Sequence, residues 1–251
     1  MTDMPSREIP TRHSERQSLF LILVDGNATE LFSTGMLLQR LEYNVFTAGS
    51  AEEALRFMEI ARPSVLITEL LLPNMSGMDL LTRIKQEPGT RDIPVIIHTH
   101  MKDIKVEEIC KLAGCAAYLR KPADPNTLFR SIQYVMEKTP RHYIRLATCI
   151  KVLVGDEGED GQHAECVTAL SENGIFVRTF KPRPVNALLP IRFPIGDRLI
   201  HIRALVLYTY PLSGGPLKEP GMGMKFVEIA EGDRECIREF IKARLTKDLA
   251  Y

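Results

Sequence analysis

An excess of charge of either sign, paired cysteines and long apolar runs are all missing from this sequence. Its 251 residues carry 32 lysines and arginines against 32 aspartates and glutamates. Cut at Lys138/Thr139, the first part holds 16 basic and 18 acidic residues and the second 16 and 14. Neither part has the basic footprint that non-specific duplex binding needs. The five cysteines (Cys110, Cys115, Cys149, Cys166 and Cys236) are odd in number and contain no CxxC pair. That argues against a disulfide framework or zinc site and for buried free thiols in a reducing compartment. No apolar run reaches the roughly 18 residues that suggest a membrane span. Met1 to about Ser18 is polar, with Pro5 and Pro10 and no apolar core, and reads as a flexible leader, not a signal peptide. A soluble, cytoplasmic protein is expected.

What is present suffices for one large or two ordinary domains, with 45% hydrophobic residues to pack them. From 19 to 138 apolar runs alternate with amphipathic stretches. Strands are expected at Leu19–Val24, Val45–Ala48, Val65–Thr68, Val95–Thr99 and Ala117–Leu119. Helices are expected at Thr29–Leu41, Ala51–Ile60, Gly77–Lys85, Val106–Ala113 and Pro125–Glu137. This alternation predicts a doubly wound α/β domain with a parallel five-stranded sheet. Sites in such sheets lie beyond the carboxyl ends of the strands. Asp25, Glu69, Thr99 and Lys121-Pro122 stand there.

This set resembles the receiver domain of two-component response regulators. Glu69-Leu-Leu-Leu-Pro73-Asn-Met-Ser-Gly77 aligns with the family's phosphoacceptor loop, Thr99 with its switch hydroxyl and Tyr118 with its switch aromatic. Lys121-Pro122 matches its lysine and the following proline, usually cis; Asp25 matches one of two adjacent acidic metal ligands. Two positions depart from the pattern. The phosphoacceptor aspartate is Glu69 and the second acidic residue is Gly26. Magnesium demands near-octahedral oxygen ligation, and a methylene displaces the nucleophile by about 1.5 Å, a misplacement that can cost about 10²-fold. A degenerate receiver, not phosphorylated in the usual way and needing no metal, is expected. Asp25, Glu69 and Lys121 then form either a charge-paired relict or, with Thr99, a fixed imitation of the phosphorylated state. His98 and His100 bracket Thr99, and alternation would turn both to one side. With no third ligand evident they read as polar strand-end residues.

From 139 to 251 the pattern changes to short strands. These are expected at Ala147–Val154, Ala164–Leu170, Gly174–Thr179, Leu188–Phe193, Ile200–Tyr208 and Gly223–Glu228, with a Gly/acid turn at Asp156–Gly161. A small antiparallel six-stranded β-barrel follows, closed by a C-terminal helix at Asp233–Lys247 with Ile237, Phe240, Ile241, Arg244 and Leu245 inward. Arg141-x-x-x-Arg145, then 25 residues, then Ser171-x-x-Gly174, and later Gly221-Met-Gly223-Met-Lys-Phe226 resemble the PilZ domain, a bacterial receptor family for cyclic di-GMP. The resemblance implies ligand contacts from Arg141, Arg145, Ser171 and Gly174. Guanidinium groups suit phosphate and guanine edges. A hydroxyl completes the polar contacts, and glycine permits a tight turn or close ligand approach. The family's Asp or Asn two residues before the serine is Ala169, which removes a hydrogen-bond acceptor worth roughly 0.5–3 kcal/mol.

The expected whole is a non-enzymatic signalling protein that reads cyclic di-GMP and relays it to an effector protein. Arg141 and Arg145 lie in the short segment Pro140–Leu146 between the halves, where binding would alter interdomain geometry. A protein–protein adaptor whose two domains have both lost their small-molecule chemistry is the alternative. No Ser/His/Asp constellation or P-loop is evident, and no helix-turn-helix pattern follows the first domain. A homodimer through the last receiver elements is what the family resemblance suggests.

Overall fold

The computed structural model describes residues 19–155, 165–212 and 219–249. The expected leader, 1–18, and the turn at Asp156–Gly161 lie outside the described residues. The chain divides into two compact units, one running to Arg141 and the other spanning His142–Lys247.

In the first unit five parallel strands, β1 (Phe20–Val24), β2 (Asn44–Ala48), β3 (Val65–Thr68), β4 (Val95–Thr99) and β5 (Ala117–Arg120), lie in the order β2-β1-β3-β4-β5. They alternate with α1 (Ala28–Arg40), α2 (Ala51–Ile60), α3 (Gly77–Gln86), α4 (Ile104–Leu112) and α5 (Pro125–Met136). Every residue of β3 and β4 is buried, as a parallel sheet covered on both faces requires. Ile22, Val24, Leu66, Val95 and Ile97 centre the core, each burial being worth roughly 1.5–3 kcal/mol. Helix starts follow caps. Asp103 accepts from Lys105 N at 2.9 Å, so α4 begins two residues before the expected Val106.

The second unit is a closed antiparallel barrel. Its strands are β6 (Leu146–Val154), β7 (Glu165–Ser171), β8 (Gly174–Arg178), β9 (Leu188–Ile195), β10 (Arg198–Tyr210) and β11 (Gly221–Ile229). Around the barrel the order is β10-β11-β8-β7-β6-β9. Val167, Leu170, Ile175, Val177, Phe193, Val206, Met222 and Met224 are buried, and their alternation sends the residues between them to the outer face.

Helix α6 (Glu231–Thr246) packs against β7 and β9 through buried Ile237, Ile241 and Leu245. Arg244, expected inward, is exposed and lies 5.3 Å from the Phe240 ring centroid. Its charged head cannot be desolvated without a partner, so it stacks on the flank of the apolar stripe.

Candidate functional site

In the first unit the ends of β1, β3, β4 and β5 bring together Asp25, Glu69, Thr99 and Lys121. All four are buried, at 4%, 6%, 0% and 7% exposure. The Lys121 ammonium donates to Asp25 Oδ2 and lies 2.9 Å from Glu69 Oε2. Glu69 Oε1 accepts from the backbone N–H groups of Leu70 at 2.6 Å and Leu71 at 3.3 Å. Both oxygens of the residue at the phosphoacceptor position are therefore engaged.

A third carboxylate joins them that the sequence reading missed. Glu30 Oε2 lies 2.6 Å from Lys121 Nζ, and its Oε1 lies 2.6 Å from His100 Nε2. Asp25 Oδ1 accepts from Asn27 N at 2.9 Å, and the Asn27 side chain caps α1 by accepting from Thr29 and Glu30. This chain of short bonds turns the first coil of α1 back over the end of β1. The Asn27-x-x-Glu30 spacing was the available signal, since it marks a helix start. Here the glutamate bonds the lysine. Gly26 carries no carboxylate, and a Cβ there would come 2.9 Å from Pro73 Cδ. A side chain at this position would have to displace the Pro73 ring slightly.

Burial opposes ionisation of Glu69, yet hydrogen bonds from Thr99 and Lys121 and the lysine's charge outweigh it and hold the carboxyl below its ordinary range. Glu30 behaves likewise, with Lys121 and His100 outweighing its desolvation. Burial also works against the Lys121 ammonium, but bonds to Asp25, Glu30 and Glu69 raise its pKa above that of an ordinary lysine.

The family implies a divalent metal among these acids. Carboxylate oxygens of Asp25, Glu30 and Glu69 lie within 4.8 Å of one another, but the Lys121 ammonium bonds all three. The ammonium is itself the cation there, donating to one oxygen of each acid, so this arrangement does not fit a dication as well.

Thr99 and Tyr118 meet at one residue. Thr99 Oγ1 accepts from Met101 N at 3.2 Å, and the Tyr118 hydroxyl donates to Met101 O at 3.0 Å. The Lys121–Pro122 peptide is cis. The two histidines do not share a side. His98 is buried with Nε2 unpartnered among the described residues, whereas His100 lies past the end of β4, where alternation no longer applies, and is exposed. Burial, then the Lys121 charge, pushes the His98 pKa down to about 4.

In the second unit β6 and β7 pair with Leu146 opposite Leu170 and Ala147 opposite Ala169. Arg145 immediately precedes β6, next to Leu146, and Ser171 ends β7, next to Leu170. Arg145 is exposed, and among the described residues no carboxylate pairs with it. Ser171 Oγ donates to Gly174 O at 3.0 Å, and the two residues face each other across the turn Glu172-Asn173. A Cβ at Gly174 would come 2.4 Å from Met224 O. The β11 backbone thus demands a glycine here, in a tight turn of the kind expected for this position.

The turn is anchored by residues the sequence reading did not single out. Arg238 Nε donates to the buried Glu172 carboxylate at 3.2 Å, and Arg234 Nη1 donates to Glu172 O at 3.1 Å and to Asn173 Oδ1. No short-range pattern announces this, because the partners are more than 60 residues apart. Arg141, the last residue of the first unit, donates its backbone N–H to Gln133 Oε1 at 3.2 Å.

Comparison with known proteins agrees with both halves. The response regulator receiver domain model matches residues 21–133 and the PilZ domain model residues 138–243. Protein PilH of Pseudomonas aeruginosa is 26% identical over 117 residues, which cover 46% of this chain and 96% of PilH. The transcriptional regulatory protein GlrR of Escherichia coli K12 is 32% identical over 120 residues, 47% of this chain and 26% of GlrR. A receiver domain protein from Clostridium thermocellum has 31% identity, covering 47% of this chain and 94% of that chain, with a TM-score of 0.44. By its sequence motifs, its two folds and the two family models, the chain belongs to the response regulator receiver and PilZ families, one domain of each in that order.

Proposed function

We propose that the chain is a non-enzymatic signalling protein whose PilZ domain binds cyclic di-GMP and whose receiver domain is not phosphorylated. What supports the ligand reading is the β6–β7 register, whose end pair Leu146–Leu170 is flanked by exposed Arg145 on one side and by Ser171, 26 positions later in the chain, on the other. Two motif halves, each unremarkable alone, thus flank the end of one strand pair. A guanidinium there offers paired donors to a phosphate or a guanine edge, and the hydroxyl, already donating to Gly174 O, keeps its lone pairs for a ligand N–H. Arg141, four residues earlier, is the second arginine of the pattern. The relay to a partner protein is part of the same proposal.

The reading of the receiver rests on the Glu69–Lys121 pair and on Gly26. A carboxylate that accepts two backbone N–H bonds and an ammonium is a weak nucleophile, and the dication that would balance an incoming phosphoryl group has no place among the acids.

Calorimetric titration of the full chain with cyclic di-GMP tests the ligand reading, with Arg145→Ala as the control. Saturable heat at micromolar concentration, weakened by the substitution, is expected. No heat with the unsubstituted protein would leave the adaptor reading in its place.

A further inference from the structure

The outer face of the barrel carries a feature that the arginine–serine motif does not use. Phe176 of β8 and Tyr208 and Tyr210 of β10 form one aromatic cluster, with ring centroids 6.4, 6.1 and 5.2 Å apart. The strand between them, β11, presents glycines at this level. A Cβ at Gly223 would lie 2.2 Å from Tyr208 Cζ and 2.4 Å from its Cε1, and one at Gly221 would lie 2.8 Å from Phe176 Cε1. The rings therefore lie down on the glycines. Tyr208 thus covers Gly223 and Phe176 covers Gly221, and all three residues of the cluster are only half-buried.

Register joins this shelf to the motif. Across neighbouring strands Ala147, Ala169, Phe176, Gly223 and Tyr208 stand in one row. Ser171, Gly174 and Lys225 form the next outward row, and exposed Arg145 immediately precedes Leu146, the partner of Leu170. Rows two residues apart on one face are separated by roughly 6.6 Å, and neighbours across strands by roughly 5 Å. A dinucleotide with a phosphate or guanine edge at Arg145 and Ser171 spans that interval. Ala169, directly opposite Phe176, projects only a methyl group towards the rings.

We propose that Phe176, with Tyr208 beside it, is a stacking platform for one guanine base of the bound dinucleotide. This rests on the cyclic di-GMP reading above and adds a contact the motif does not contain. Purine faces stack on aromatic rings through dispersion and quadrupole attraction without needing hydrogen bonds. Such a contact would offset the acceptor lost at Ala169 with apolar binding on the same row.

The chain has no tryptophan, so Phe176→Trp supplies a single reporter at the platform. Titration of that variant with cyclic di-GMP is expected to quench its emission at the concentration where calorimetry on the unsubstituted chain shows half-saturation. Phe176→Leu, which keeps an apolar cover over Gly221 but loses the π face, is expected to weaken binding on the order of tenfold or more. Binding by the unsubstituted chain with Phe176→Leu within about twofold of it would overturn the platform while leaving the receptor reading intact. A lowered melting temperature for Phe176→Leu with unchanged affinity would assign the rings a role only in covering the strand glycines, and would equally overturn it. No binding by the unsubstituted chain would remove both readings together.

Discussion

Lys121 and Glu30 are joined by an ion pair of 2.6 Å between Nζ and Oε2, 91 positions apart in the chain. The pair completes a ring of three carboxylates around one ammonium. In this receiver domain the acidic residue absent at Gly26 is supplied from the first turn of α1 instead, and it bonds a lysine.

The ring makes the lysine more important to stability than any single acid. Lys121→Met would leave the Asp25 and Glu69 carboxylates buried without their counter-charge. Breaking a buried pair in this way costs about 3–5 kcal/mol. Glu30→Gln, at a side chain 30% exposed, should cost less than about 1 kcal/mol. Urea denaturation of the two variants checks the ranking, and equal effects would contradict the central role of Lys121.

Incubation with acetyl phosphate and Mg²⁺ should add no phosphate to the intact chain by mass spectrometry. Glu69→Asp alone should not restore labelling, because Gly26 still supplies no second carboxylate. A gain of one phosphate in the unsubstituted chain, lost in Glu69→Gln, would refute the proposed inactivity.

Stability should fall with acidification in two stages. His98, with its pKa pushed down to about 4 by burial and by Lys121, stays neutral in the fold while the unfolded chain takes up a proton below about 6.5. Between those values each unit of pH should remove up to about 1.4 kcal/mol. Glu69 and Glu30, held below their ordinary value, stabilise the fold above about 4.5, and that contribution is lost as pH falls through their folded values. Melting curves of the unsubstituted chain and of His98→Phe separate the stages. The variant should show a flatter profile from pH 6.5 to 4 and the same loss below it.

Gly174→Ala should be costly wherever the ligand sits. Its Cβ would enter the space of Met224 O at 2.4 Å, and overpacking against backbone typically costs about 1–3 kcal/mol. A lowered melting temperature without ligand is the expected result. A fully stable variant with altered binding alone would return this glycine to a ligand-approach role.

Much of the architecture was readable because it depends on local period. Unbroken apolar runs such as Val95–Thr99, set between amphipathic stretches, specify buried parallel strands, and the carboxyl ends of such strands fall on one edge of the sheet. Asp25, Glu69, Thr99 and Lys121 could therefore be assigned to one pocket from their positions alone. Glu30 was missed because its place depends on how the Asn27 cap turns α1. His98 and His100 were paired wrongly because the strand ends between them. Arg244 was misassigned because helical spacing gives a stripe's centre more reliably than its flank.

The sequence by itself determined the two folds, their order along the chain and the residue types at both motifs, since these follow from hydrophobic period, turn residues and spacing. Only the tertiary structure decided that Glu30 completes the ring around Lys121, that α6 arginines hold the turn after Ser171, and that the β6–β7 pair bearing Ser171 stands beside rings lying over Gly221 and Gly223. Each of these depends on strand register or on a contact across more than 20 positions. Such contacts form when the chain closes on itself, and no local pattern encodes which partners meet.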